Sequence, residues 1–365
     1  MGGIVDQGIT IEALAVAVAA RVPVLLWGAP GTGKTAAVVA MAEAMDWPCE
    51  TVIASIREPS DFAGLPIVGD EDVRLAPPGW AKRLVAAGRG LLFLDEISTA
   101  PPAVQAALLR VVLERTVGDL ALPDAVVVVA AANPPEQAAD GWDLSAPLAN
   151  RFCHLDWTVD ATSVSEGMAL GWAPPVVPEL PHDWETGLPR ARGMVAAFLP
   201  IRPMLACAVP RDGASAGRGW PSPRTWDMAA RLLTAADAAK ASGGVRSALV
   251  TGALGEGPGV EFLSWLIEID LPDPEAVLAD PEAFVLPERG DRAYAVLASV
   301  ASAVAANATP ERWLAGWRVL ARAGERAPDV AAMAARVLAA CRPPGTPAPA
   351  EVAMFAPLLR AAKLL

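Results

Sequence analysis

The sequence predicts an α/β fold: a parallel sheet wrapped by helices over about residues 1–160, then a helical region. Three observations carry this prediction. Short apolar runs at 22–27, 91–94 and 125–132 alternate with helical patterns, the order expected of strand–helix–strand units. The run Ala125 to Ala132 is apolar at every position, as a strand covered on both faces requires. From Thr225 onward helical patterns follow one another, with no strand of comparable quality.

Taken in order, residues 9–20 read as a helix with Ile11, Leu14, Val16 and Val18 as its apolar positions. Strand 22–27 leads into a Gly-rich turn and an Ala-rich helix, Thr35 to Met45. Pro48 to Ala54 is a second strand, and the Pro-, Gly- and Asp-rich residues 57–80 read as an insertion or long loop. Leu91 to Leu94 is a short buried strand. Val104, Leu108 and Val111 share one face of a helix ending at Glu114. Thr116 to Leu122, with Gly118-Asp119 at its middle, predicts a small hairpin. Phe152 to Trp157 supplies the fifth strand. Residues 161–223 are rich in Pro and Gly and read as a connector, and helices are expected at 226–240, 260–269, 292–306, 310–323 and 328–341. The expected domains are 1–160, 161–223 and 224–365.

Composition narrows the function classes. The chain has 365 residues, 53% hydrophobic and 19% charged, enough for a sizeable core and against a disordered chain. Its net charge of −12, with no Lys/Arg run, argues against nucleic acid as a partner. Cys49, Cys153, Cys207 and Cys341 are scattered without a CxxC pair, and His154 and His182 are too few for a His-rich metal site. Met1 to Asp6 shows no signal-peptide pattern, and Asp6 breaks the myristoylation pattern. No segment reads as a membrane span, so a soluble, cytoplasmic protein is expected.

The chemistry-bearing stretch is Gly28-Ala29-Pro30-Gly31-Thr32-Gly33-Lys34-Thr35, which fits Gly, four residues, then Gly-Lys-Ser/Thr between a strand and a helix. Glycines let backbone N–H groups turn around a triphosphate, and the helix N-terminus adds a positive dipole end. Lys34 is expected to reach the β- and γ-phosphates and the Thr35 hydroxyl to hold Mg2+. With Ala36, these residues and Asp95 form the expected ATP-contacting set.

Leu91-Leu92-Phe93-Leu94-Asp95-Glu96 is an apolar strand ending in two carboxylates. Asp95 is expected to contact Mg2+ through water and Glu96 to act as general base toward the attacking water. Asn133, after the next strand, either orients that water or is a turn residue before Pro134. Arg151 is either a surface arginine or a finger supplied to a neighbouring subunit's nucleotide. Arg224, at the start of the helical region, contacts the γ-phosphate or is a helix-start arginine in a salt bridge.

These motifs together resemble the AAA+ ATPases, in particular the MoxR-like branch with its NorQ, CbbQ and dynein-related relatives. Gly28 to Thr35 is similar to Walker A, Leu91 to Glu96 to Walker B, Ala131 to Pro134 to sensor 1, Leu148 to Phe152 to the arginine-finger segment and Ser222 to Trp226 to sensor 2. Arg57 to Pro66 resembles the branch's insertion after the second strand. Val104 to Val117 resembles its helix and hairpin after Walker B. The resemblance implies an AAA+ P-loop domain with a five-stranded parallel sheet, followed by a helical lid domain. It also implies ATP hydrolysis with Mg2+ and a hexameric ring with nucleotide between subunits. Arg151 would then act in trans and Arg224 in cis or trans. A partner with a von Willebrand factor A domain and a client protein complex are further implications. No obvious aromatic–hydrophobic pair marks the central-pore position, which favours remodelling of a folded client over threading. The rival readings are a monomeric P-loop small-molecule kinase or transferase and a non-hydrolysing nucleotide-gated scaffold.

Overall fold

The computed structural model describes residues 7–69, 72–134, 143–172, 174–269, 271–361 and 363. The expectations drawn from Met1 to Asp6 lie outside these residues. Five parallel strands form the central sheet: β1 (Val24–Trp27), β2 (Cys49–Ile53), β3 (Arg89–Asp95), β4 (Ala125–Ala132) and β5 (Cys153–Asp156). Their order across the sheet is β2-β3-β4-β1-β5. The five-stranded parallel sheet is therefore the one the sequence predicts.

β3 and β4 lie at the centre, and their side chains from Gly90 to Leu94 and from Val126 to Ala132 are buried. That burial explains why both read as continuous apolar runs. Helices α1 (Gln7–Ala19), α2 (Lys34–Ala44), α3 (Gly79–Ala87) and α4 (Pro102–Glu114) accompany the sheet. α4 starts with Pro102 at its first turn, where a missing N–H costs nothing, and buries Val104, Leu108, Val111 and Val112. Its C-terminal neighbour Arg115 has φ 54° and donates to the carbonyls of Pro123 and Val126, which anchors the hairpin at 116–121.

Residues 57–80, expected as an insertion or long loop, are a structured insertion. They form a short helix (Ser60–Ala63), an antiparallel ribbon pairing Leu65–Val68 with Val73–Ala76, and the start of α3. Leu65–Val68 is exposed at every position and Val73–Ala76 has no buried face, so no inward–outward alternation marks the ribbon, and Pro66 reads against a strand. The ribbon is held at its root: Leu75 N–H donates to Asp119 Oδ2 at 2.7 Å, and Asp119 N–H donates to the Leu75 carbonyl at 3.1 Å.

The chain packs as two compact units. One comprises Met1–Pro181 and Cys207–Val260, the other His182–Ala206 and Glu261–Leu365. The segment expected as a connector is thus divided between them. In the first unit, α5 (Pro223–Ala238) and α6 (Gly243–Leu254) pack on α1, and α6 also packs on β5. α6 lies in a stretch for which the sequence predicts no element. Its Ser242 cap accepts from Val245 N–H.

The second unit is helical. Gly290–Ala306 packs against Leu188–Phe198 and Pro328–Ala340, with Pro310–Gly324 completing the core. Trp313 and Trp317 are almost fully buried there among Val300, Val304, Leu320 and Leu338. The Trp313 indole N–H donates to the Leu338 carbonyl at 2.7 Å, satisfying its one polar atom. No helix among the described residues is long and apolar enough to cross a membrane.

Candidate nucleotide site

Parallel pairing places the ends of β1, β3 and β4 side by side at the carboxyl edge of the sheet. The Gly-rich loop leaves β1, Asp95 and Glu96 leave β3, and Asn133 leaves β4. Three sequence-distant segments therefore meet at one edge. Gly28 N–H donates to the Ala132 carbonyl at 3.1 Å and ties the start of the loop to β4.

The loop needs its glycines for two separate reasons. Gly33 has φ 85° and caps α2 in a left-handed conformation that favours glycine. A Cβ on Gly28 would lie 2.5 Å from the Trp157 carbonyl oxygen, so only glycine fits against that strand. Thr32 adds a local restraint, its hydroxyl donating to the Ala29 carbonyl at 2.7 Å.

Lys34 is 7% exposed, although it is an ammonium. Its Nζ donates to the carbonyls of Gly28 at 2.7 Å and Ala29 at 2.9 Å, and to Asn133 Oδ1 at 3.3 Å. Burial holds the ammonium below the usual lysine range, and the Asp95 carboxylate opposes that shift. A charge so placed is poised to exchange loop carbonyls for a stronger anionic acceptor.

Thr35 Oγ1 donates to Asp95 Oδ2 at 3.0 Å. This pair fits Mg2+, which takes oxygen ligands, keeps several waters and needs few protein groups besides substrate phosphates. Glu96 follows with φ 57°, an unusual conformation for a side chain of its size, and its N–H donates to Asp95 Oδ1 at 2.9 Å. The backbone turn directs the two neighbouring carboxylates to different partners. Asp95 meets Thr35, and Glu96 Oε2 accepts from Ser55 Oγ at 2.5 Å.

The two arginines lie elsewhere. β5 runs parallel to β1 with Cys153 opposite Val24, so Arg151 precedes β5 at the amino edge, away from the phosphate loop. Arg218 Nη1 meets Asp156 Oδ1 at 2.8 Å beside the last residue of β5, and Ser222 Oγ donates to Asn150 Oδ1 at 2.8 Å before its first. The Ser222–Asn150 bond ties the segment before Arg224 to the residue before Arg151, and the two arginine charges act on each other. Burial and the neighbouring Arg224 charge both hold Arg151 below the usual arginine range. Arg151 donates to the Pro147 carbonyl, and its buried Nε has no partner.

Ser55, Trp157 and Asn150 were not singled out from the sequence. Ser55 touches Glu96, and Trp157 donates its indole N–H to the Thr32 carbonyl at 3.0 Å. The sequence carries only a weak signal for Trp157, an aromatic residue ending a strand. It carries none for Ser55, whose importance depends on β2 pairing with β3.

Residues 23–152 match a family model described as AAA domain, dynein-related subfamily. The chain is 31% identical over 137 residues to Chaperone MoxR1 of Mycobacterium tuberculosis, covering 36% of this chain and 35% of that protein. It is 33% identical over 115 residues to Protein MoxR of Methylorubrum extorquens, covering 31% of this chain and 33% of that protein. The chain thus spans about a third of the length of these curated relatives. Among solved structures, a putative ATPase from Cytophaga hutchinsonii has a TM-score of 0.44 at 20% identity, covering 69% of this chain and 82% of that one. A full-length MCM homolog from Methanopyrus kandleri has a TM-score of 0.35 at 18% identity, covering 72% of this chain and 53% of that one.

Proposed function

We propose that this chain carries a MoxR-like AAA+ domain at residues 23–152, which match the AAA domain model of the dynein-related subfamily, and that it hydrolyses ATP and uses the cycle to remodel a protein complex. One observation carries the reading. Lys34, Thr35, Asp95, Glu96 and Asn133 converge at one sheet edge, with Thr35 bonded to Asp95 and Lys34 to Asn133.

The assigned roles follow from that convergence. Loop N–H groups and Lys34 bind the β- and γ-phosphates. Thr35 and Asp95 would hold Mg2+, which when bound neutralises phosphate charge. Glu96 accepts a proton from the attacking water, and Asn133 orients the water and the γ-phosphate. Ser55 engages Oε2 of the Glu96 carboxylate, a bond that restrains the group before it serves as base.

The position of Arg151 supports assembly. β1 alone separates the amino edge from the loop by about 13 Å, four residues at about 3.3 Å each, farther than an arginine reaches. Arg151 thus serves the nucleotide of an adjoining copy, and Arg224 beside it serves the same nucleotide. A ring of identical subunits, six in the resembling family, provides such an interface at every nucleotide. A von Willebrand factor A domain partner and a folded client complex complete the proposal, on the resemblance to MoxR proteins. The monomeric kinase reading is not favoured, because it gives the two arginines no anion to meet. The cytoplasm is the proposed compartment.

The test is ATP turnover by purified Lys34→Ala and Glu96→Gln proteins. Lys34→Ala should lose ATP binding, while Glu96→Gln should keep binding and lose turnover by roughly 10²–10⁴-fold, the usual share of a general base. Wild-type turnover by Lys34→Ala would sink the proposal. Capture of interacting proteins on ATP-loaded Glu96→Gln protein then identifies partner and client.

A further inference from the structure

Asn150 is 2% exposed, Ser222 6% and Thr225 fully buried. Asn150 Nδ2 donates to the Trp220 carbonyl at 3.0 Å, and its Oδ1 accepts from Ser222 Oγ at 2.8 Å. Ser222 N–H donates to Thr225 Oγ1 at 2.8 Å, and Thr225 N–H donates to Ser222 Oγ at 3.3 Å, a reciprocal cap on α5. Thr225 Oγ1 also donates to the Trp220 carbonyl at 2.9 Å. These bonds close a buried polar ring across a sequence separation of 70 residues or more.

Ser222 and Thr225 would cap the helix without help. Asn150 is what joins that cap to the segment before β5. The amide suits the position because it supplies a donor on one side and an acceptor on the other. In a buried ring, loss of one member leaves its partners unsatisfied, so the geometry is held tightly.

The ring's immediate neighbours are the two arginines. Arg151 follows Asn150 directly, and Arg224 lies between Ser222 and Thr225. Among the described residues no carboxylate is bonded to either guanidinium. Like charges held together without a counter-ion repel, so the ring opposes their separation in the free protein.

We propose that Asn150 is a positioning residue, coupling the α5 cap to the segment before β5 so that Arg151 and Arg224 act as one two-pronged receptor for the polyphosphate of an adjoining copy. The inference rests on the trans role given to these arginines above. A planar guanidinium pair matches phosphate oxygens bidentately, but only if the two are held at a fixed spacing. Asn150 acts on turnover and not on the binding of ATP by its own loop.

The experiment is steady-state ATPase of the full chain for Arg151→Ala, Arg224→Ala, Asn150→Ala, Asn150→Asp, Ser222→Ala and the double variant Asn150→Ala/Arg151→Ala. Asn150→Ala and Asn150→Asp should lower kcat by ~10-fold or more while KM for ATP stays within about twofold. Ser222→Ala removes the link from the other side and carries the same expectation if the Asn150 variants do not fold. The double variant should be no slower than Arg151→Ala alone, because both changes disable one receptor. The inference is overturned if the Asn150 and Ser222 variants keep wild-type kcat, or if the losses multiply in the double variant. Wild-type rates in Arg151→Ala and Arg224→Ala would instead overturn the trans-arginine reading itself, so the two failures are distinct.

Discussion

At the scale of single residues, the candidate site is a set of side chains engaged by partners within the protein. Lys34 rests on loop carbonyls, and Glu96 rests on Ser55. The second contact gives a prediction. A hydrogen bond to a carboxylate contributes about 1.5–3 kcal/mol when shielded and less where water competes, as here. Releasing about 1 kcal/mol of restraint on the base corresponds to roughly fivefold in rate. Ser55→Ala should therefore raise basal ATP turnover about fivefold, measured by phosphate release. An unchanged or lowered rate would show that Ser55 does not restrain Glu96. The Lys34 and Glu96 positions are legible from sequence, because the order of residues along one loop or strand end states their chemistry. Ser55 is not legible, since only pairing of β2 with β3 brings it near Glu96.

At the scale of elements, β5 is the strand that both ends of the machinery depend on. It carries Trp157 toward the phosphate loop, and Arg151 precedes it. Its interior contains an unusual side chain, His154. The Trp27 indole N–H donates to His154 Nδ1 at 2.8 Å, and His154 Nε2 lies 2.9 Å from the Ala149 carbonyl. Those partners fit the neutral ring with its proton on Nε2. Burial drives its pKa down to about 4, with the hydrogen bond to Ala149 opposing and the nearby Arg218 charge assisting. The unfolded chain then binds one more proton than the native one between about pH 6.5 and 4, so stability falls as pH falls through that window. The loss reaches roughly 3 kcal/mol at its lower end and is absent above about pH 6.5. The melting temperature should drop between pH 7 and pH 4.5, and His154→Gln should flatten the dependence. Equal pH slopes for the two proteins would remove His154 as the cause.

At the scale of the whole molecule, the residues of the proposed machinery are divided between the two edges of one sheet. In the proposed function the carboxyl edge binds and activates, while Arg151 precedes β5 at the amino edge. If Arg151 acts in trans as proposed, a subunit lacking Lys34 still presents Arg151, and a subunit lacking Arg151 still binds ATP. Mixing Lys34→Ala with Arg151→Ala protein should restore part of the turnover that neither shows alone, measured across a titration of mixing ratios. Absence of any rescue, with both proteins folded and co-assembled, would exclude action in trans. The second unit adds a helical core around Trp313 and Trp317, assembled from His182–Ala206 and Glu261–Leu365. In the sequence the first of these segments reads as part of a connector because residues 161–223 are Pro- and Gly-rich with only brief helical pieces. The packing of Leu188–Phe198 on Gly290–Ala306 joins residues about a hundred positions apart, which no local pattern reveals.

The sequence by itself determined the nucleotide half of the protein: five strands, their parallel order of use, and the residues at the carboxyl edge. Those features are written locally, in apolar runs, in glycines at fixed offsets and in acids at a strand end. Tertiary structure decided what those residues touch and which side of the sheet the arginines face. It placed Ser55 on Glu96, Trp157 under the loop and Asn150 on Ser222, contacts spanning 41, 125 and 72 residues of chain. Contacts of that kind depend on strand register and packing, and these exist only once the chain has folded.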